Sequence, residues 1–146
     1  MSEYWFCVSS FRQSWAPGHE HYNKRFLTSP PIPLGSDFLH PLRRVAVITV
    51  SRGTTTSGVG PNQAWFELTV NRPGTHDNNG GERVRVGIAT NPRPGTDFVK
   101  HRIVVEDERV LSVVLQGDTV SVWVVSPRPG WLSDVKSVEI DIYVAY

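Results

Sequence analysis

The feature that most constrains this chain is a side-chain alternation of period two that recurs along its length. From Val135 to Ala145 the even positions Val138, Ile140, Ile142 and Val144 are apolar, while Ser137, Glu139 and Asp141 are polar and Tyr143 is the exception. Successive side chains of an extended strand point to opposite faces, so this pattern is a strand with one dry and one wet side. In Ala64 to Val70 the inward set is Ala64, Phe66, Leu68 and Val70, with Trp65, Glu67 and Thr69 outside. Val84, Val86 and Ile88 repeat the pattern in Arg83 to Thr90, and Val99, His101, Ile103 and Val105 repeat it in Val99 to Glu106. A helix needs apolar spacings of three and four, and no segment of ten or more residues shows them. The chain holds 21 Val and 6 Ile against 8 Leu and 5 Ala, a β-branched bias that favours strands.

Residues 43–51 and 119–126 are apolar on both faces, as central strands covered twice would be. Residues 4–11 and 109–115 complete a count of about eight strands. Clusters such as Asn71-Arg72-Pro73-Gly74, Asn78-Asn79-Gly80-Gly81 and Gln116-Gly117-Asp118 punctuate the runs with turn chemistry. Short strands at this spacing predict an all-β fold, an antiparallel β-sandwich of jelly-roll or related Greek-key type. Residues 12–42 are the exception. They lack clear alternation, carry five prolines and read as a long irregular excursion with one further strand hidden around Arg25 to Thr28.

With 146 residues the chain has the length of one domain, residues 1–146, which can bury about 70% of its unfolded surface without a metal or disulfide. A single cysteine, Cys7, excludes an internal disulfide framework and any zinc site built on several thiolates. Lys plus Arg number 15 and Asp plus Glu 14, a net charge of +1 that argues against a dedicated nucleic-acid partner. No apolar run reaches the 18 or more residues of a membrane span, and the start Met-Ser-Glu-Tyr-Trp-Phe is not that of a signal peptide. The expectation is a cytoplasmic protein with no membrane insertion.

From about Leu42 onward, one set of elements recurs in a familiar order. It runs from Arg43-Arg44-Val45-Ala46-Val47-Ile48-Thr49-Val50-Ser51-Arg52 through Ala64-Trp65-Phe66-Glu67 and Gly117-Asp118 to Pro129-Gly130-Trp131-Leu132-Ser133 and the closing strand. Over roughly residues 42–144 this resembles a β-sandwich domain family widespread in fungal proteins of uncharacterised function. The resemblance implies the sandwich fold and a fungal-type origin and supplies no activity. One departure is Gly53-Thr54-Thr55-Thr56-Ser57, where that family often carries Asp-Gln-Gly-Trp.

Candidate binding residues follow from the outward positions and the loops. If residues 64–71 and 83–90 form a hairpin, Trp65, Glu67, Thr69, Arg83 and Arg85 share one outer face. A flat ring beside carboxylate and guanidinium groups suits a sugar, whereas a covering by residues 12–42 would make Trp65 a packing residue. Asp77, Asn78 and Asn79, followed by Gly80-Gly81, offer paired acceptors and donors for vicinal hydroxyls or a calcium ion, although such clusters are also common turn formers. Trp131, after Pro129-Gly130, reads as an aromatic on a connection at one end of the sandwich, or as a plug of the core. His19-Glu20-His21 with His40 reads as a solvated loop, His101 as a core histidine and Cys7 as an inert thiol.

The sequence contains no Gly-x-Ser-x-Gly, phosphate-cradling loop or His-Glu-x-x-His. The expectation is therefore a non-enzyme with no cofactor and no metal. Its leading function is that of a small lectin binding a glycan or glycoprotein through Trp65 or Trp131 with Asp77, Asn78, Asn79 and Arg85. The alternative is a protein-interaction or self-assembly module, including a homo-oligomer that buries Trp65 between subunits.

Overall fold

The structure is a computed structural model that describes residues 3–9, 23–32, 41–55, 65–74, 81–90, 98–125 and 131–145. Eight strands appear among them: β1 (Glu3–Ser9), β2 (Asn23–Thr28), β3 (Leu42–Thr55), β4 (Trp65–Asn71), β5 (Glu82–Thr90), β6 (Val99–Val105), β7 (Thr119–Val125) and β8 (Trp131–Ala145). They form two four-stranded sheets, in the orders β1-β8-β3-β6 and β2-β7-β4-β5. Every pairing is antiparallel. The pairs β1·β8, β2·β7, β3·β6 and β4·β5 are nested, as in one long hairpin whose arms have been rolled so that alternate pairs fall in opposite sheets. That arrangement is a jelly roll, within the sandwich class that the alternation predicts.

The core lies between the sheets and is built from the inward half of each alternating strand. Val45 and Val47 of β3, Phe66, Leu68 and Val70 of β4, Val120, Val122 and Val124 of β7, and Val138, Ile140, Ile142 and Val144 of β8 are all at most 2% exposed. Fully burying such a side chain is worth about 1.5–3 kcal/mol, so these positions dominate the choice of register. Central placement of β3 agrees with its two-sided apolarity, since on its outer side Ala46 and Ile48 are buried as well; β7 is also central, but its outer side carries Ser121 and Trp123.

The strand expected around Arg25 to Thr28 is present as β2, which joins the edge of its sheet beside β7. One expectation about elements needs revision. Residues 109–115 form no strand. A single helical turn, α1 (Glu108–Leu111), stands there, with Asp107 as N-cap accepting from the Arg109 amide at 2.9 Å. Val110, Leu111 and Val114 are buried, a spacing of one and three that a turn can direct inward and a strand cannot. A polar hub locks the loop after α1. Arg72 donates through Nε to Asp118 Oδ1 at 3.0 Å and through Nη2 to Asp118 Oδ2 at 3.1 Å, while the Leu115 amide donates to the same carboxylate at 2.9 Å. Asp118 is 1% exposed, and its hydrogen bond to Arg72 raises the guanidinium pKa above its ordinary value. Ile32 joins the hub by accepting from Gly117 and donating to the Asp118 carbonyl.

Candidate functional site

The outer face of the β2-β7-β4-β5 sheet gathers the chemistry. Because Phe66, Leu68 and Val70 point inward, Trp65, Glu67, Thr69 and Asn71 point out. On β7 the inward valines leave Ser121 and Trp123 on the same side, and the register sets Glu67 opposite Trp123 and Thr69 opposite both Ser121 and Arg85. Two side chains, Trp65 of the same strand and Arg85 of β5, converge on Glu67. Trp65 donates through Nε1 to Glu67 Oε2 at 2.6 Å, and Arg85 donates through Nη1 to Glu67 Oε1 at 2.7 Å. Arg85 also donates through Nε to Glu82 Oε1 at 3.0 Å, and its guanidinium lies 4.6 Å over the Trp123 ring.

To reach Trp123 from β5, the Arg85 side chain must cross β4, so it roofs Thr69, which is fully buried. Trp123 Nε1 donates to Thr69 Oγ1 at 2.8 Å, and that hydroxyl donates to Asn71 Oδ1 at 2.9 Å. On the far side of β7, Thr28 Oγ1 and Ser121 Oγ share a hydrogen bond of 3.0 Å. Burial works against the charged form of Arg85, but hydrogen bonds from the guanidinium to Glu67 and Glu82 outweigh it, and the pKa stands above the ordinary arginine value. The result is a charge-paired surface of two half-buried indoles around a fixed guanidinium. It has ring faces and directional donors and acceptors. Among the described residues, no three His, Cys, Asp or Glu side chains come together as metal ligands.

Of the sequence-predicted site residues, Trp65 and Arg85 do share this face, joined through Glu67. Asp77, Asn78 and Asn79 lie outside the described residues, as do His19, His21 and His40. Their flanks, Gly74 and Gly81, stand at the Asn71 end of the β4–β5 hairpin, six residues and about 20 Å of extended strand from Trp65. Trp131 is not on a connection: it is the first residue of β8, paired with Thr55 in the opposite sheet, and its side chain is outside the described residues. One site built on Trp65 and Trp131 together would thus draw on both sheets. His101 takes an inward register position opposite Thr49 and is half-buried.

Trp123 is the residue that the sequence reading missed. Its run, residues 119–126, reads as apolar on both faces, yet valine occupies every even position from 120 to 124 and so marks the odd ones, Trp123 included, as outward. Elsewhere, a pocket of about 250 Å³ between the start of β3 and α1 is lined by Leu42, Arg43, Glu108 and Leu111. Among the described residues, no helix is long and apolar enough to cross a membrane.

Neither a protein-family model nor a curated protein matches the chain. Solved structures do. Dimeric latent PorU from Porphyromonas gingivalis is similar with a TM-score of 0.53 at 9% identity, over 99% of this chain and 13% of PorU. VP2 of infectious bursal disease virus in a subviral particle gives 0.51 at 10% identity, over 99% of this chain and 33% of VP2. A mutant VP2 from T=1 particles gives 0.51 at 14% identity, over 96% and 32%. The chain thus spans about a third or less of these proteins. At such identities the likeness shows the β-sandwich fold alone.

Proposed function

We propose that this chain is a non-catalytic interaction module whose working surface is the outer face of the β2-β7-β4-β5 sheet, with a second copy of itself as the first partner to test. The observation that carries this reading is the Trp65–Glu67–Arg85–Trp123 chain. Tryptophan and arginine supply most binding hot spots, and here both are held in place before any partner arrives. Because Arg85 is already paired with two carboxylates, covering it strands no lone charge. VP2 forms particles, a property of VP2 that makes assembly worth testing here. The test is light scattering on the full chain over a wide concentration range. Masses at multiples of 16.4 kDa that fall to the monomer in Trp65→Ala are expected. A strict monomer with a solvent-quenchable Trp65 sinks the self-assembly reading.

A second reading is glycan binding, favoured by the half-buried Trp65 ring standing next to Glu67 and Arg85. Sugar recognition needs such a ring with directional polar neighbours. A broad glycan array at high protein concentration tests it. Binding that disappears in Trp65→Ala supports the reading, and a blank array removes it.

A further inference from the structure

The other sheet ends in a different kind of surface. Among the described residues β6 is an edge strand, hydrogen-bonded to β3 on one side only. It carries the most exposed large apolar side chains of its sheet, Val99 at 38% and Val104 at 42%, and Phe98 at 37% precedes it. Lys100, Arg102 and Val104 share the outer face, whereas Val99 has the inward parity of His101 and Ile103; Lys100 and Arg102 are exposed, with no ion pair or hydrogen bond among the described residues. Glu139 occupies the same cross-strand row as Arg102 but stands two strands away, about 10 Å. Lys136 adds a third cation, its Nζ 5.5 Å over the Phe98 ring.

An edge strand presents a row of unused N–H and C=O groups to any extended chain that can align with it. Its side chains then select the partner. A second copy of β6 is disfavoured in full overlap, because the antiparallel pairing of Val99 to Val105 is then centred on Arg102 and sets that residue against itself, and a shift to His101 sets Lys100 against Arg102. An alternating acidic strand meets the opposite situation, with its carboxylates facing both cations on the outer side and its apolar residues beside Val99 and Ile103 on the inner one. From this charge complementarity we infer that the β6 edge accepts an extended acidic segment of another protein as an added strand. The inference is independent of the Trp65 face, which belongs to the other sheet.

The test uses the full chain, isotopically labelled, at low salt. It is titrated with an eight-residue peptide alternating Val and Glu, the matching Val/Lys peptide and a short single-stranded oligothymidylate. The Val/Glu peptide should shift the amides of Phe98 to Val105 and slow their hydrogen exchange. Lys100→Glu combined with Arg102→Glu, two surface changes that leave the core intact, should weaken it by about tenfold or more. Four outcomes overturn the inference: no β6 shift at millimolar peptide, equal binding of the Val/Lys peptide, tighter binding of the oligonucleotide, or dimerisation that the double variant abolishes.

Discussion

Thr69 on β4 and Thr49 on β3 are fully buried threonines on interior strands of the two sheets, and their hydroxyls fare in opposite ways. Thr69, on the outer side of its sheet, accepts from Trp123 and donates to Asn71. Thr49, facing the core beside Val138, has no hydrogen-bond partner. The same contrast holds one register step away: Ser121 shares a hydrogen bond with Thr28, whereas Ser51 on β3 has none. Burial is therefore a poor guide to what a polar side chain contributes. Where a hydroxyl has partners it fixes an aromatic surface, and where it lacks them it carries the cost of desolvation uncompensated.

Substitutions can break that contrast. The upper bound comes from the hub, where Asp118→Ala removes the carboxylate that accepts from Arg72 and the Leu115 amide, leaving Arg72 its bond to the Val113 carbonyl. A loss of about 3 kcal/mol is expected by chemical denaturation, near the low end for a broken buried pair because Arg72 is partly solvated. Thr69→Val keeps the shape but strands the Trp123 N–H, for an expected loss of about 2 kcal/mol and altered Trp123 fluorescence. Thr49→Val should do the reverse and raise stability by up to about 1 kcal/mol, since it removes a hydroxyl that satisfies nothing. A loss of similar size in both threonine variants would erase the distinction.

The smallest effect belongs to an exposed group. Hydrogen bonds from the Arg109 side chain and amide hold the Asp107 carboxyl below the usual range. A carboxylate depressed in the folded state contributes stability above its unfolded pKa of about 3.9 and loses it as pH falls through the folded value. Denaturation below about pH 4 should therefore show a slightly steeper decline in the parent chain than in Asp107→Asn. Identical profiles would mean that water serves Asp107 as well as Arg109 does.

Much of the fold is legible because valine and isoleucine mark one face of nearly every strand: alternation locates β4, β5, β6 and β8, and two-sided apolarity β3 and β7, to within a few residues apart from the early start of β8 at Trp131. Residues 109–115 misled because Val110, Leu111 and Val114 are strand-forming types whose burial is arranged by a turn. The hairpin placed Trp65 beside Arg85, but partners such as Trp123 and Asn71 come from strand order and rotamer, which no local pattern records. The hub escaped notice for the same reason: Arg72 and Asp118 sat in separate turn motifs, and only the closed sandwich brings them together.

The nested pairing carries a kinetic consequence. The β4–β5 hairpin closes a short loop, β3 and β6 must then meet across a longer one, and Glu3 of β1 finds Ala145 of β8 only when nearly the whole chain has been gathered. Loop closure grows costlier by about 0.6 kcal/mol with each doubling of length, so the chain should zip from its middle outward, slowly, as non-local sheets do. Until the last pair closes, the lateral rims of β8 and β7 stay uncovered, and this interval is when the protein is most open to pairing with the wrong chain.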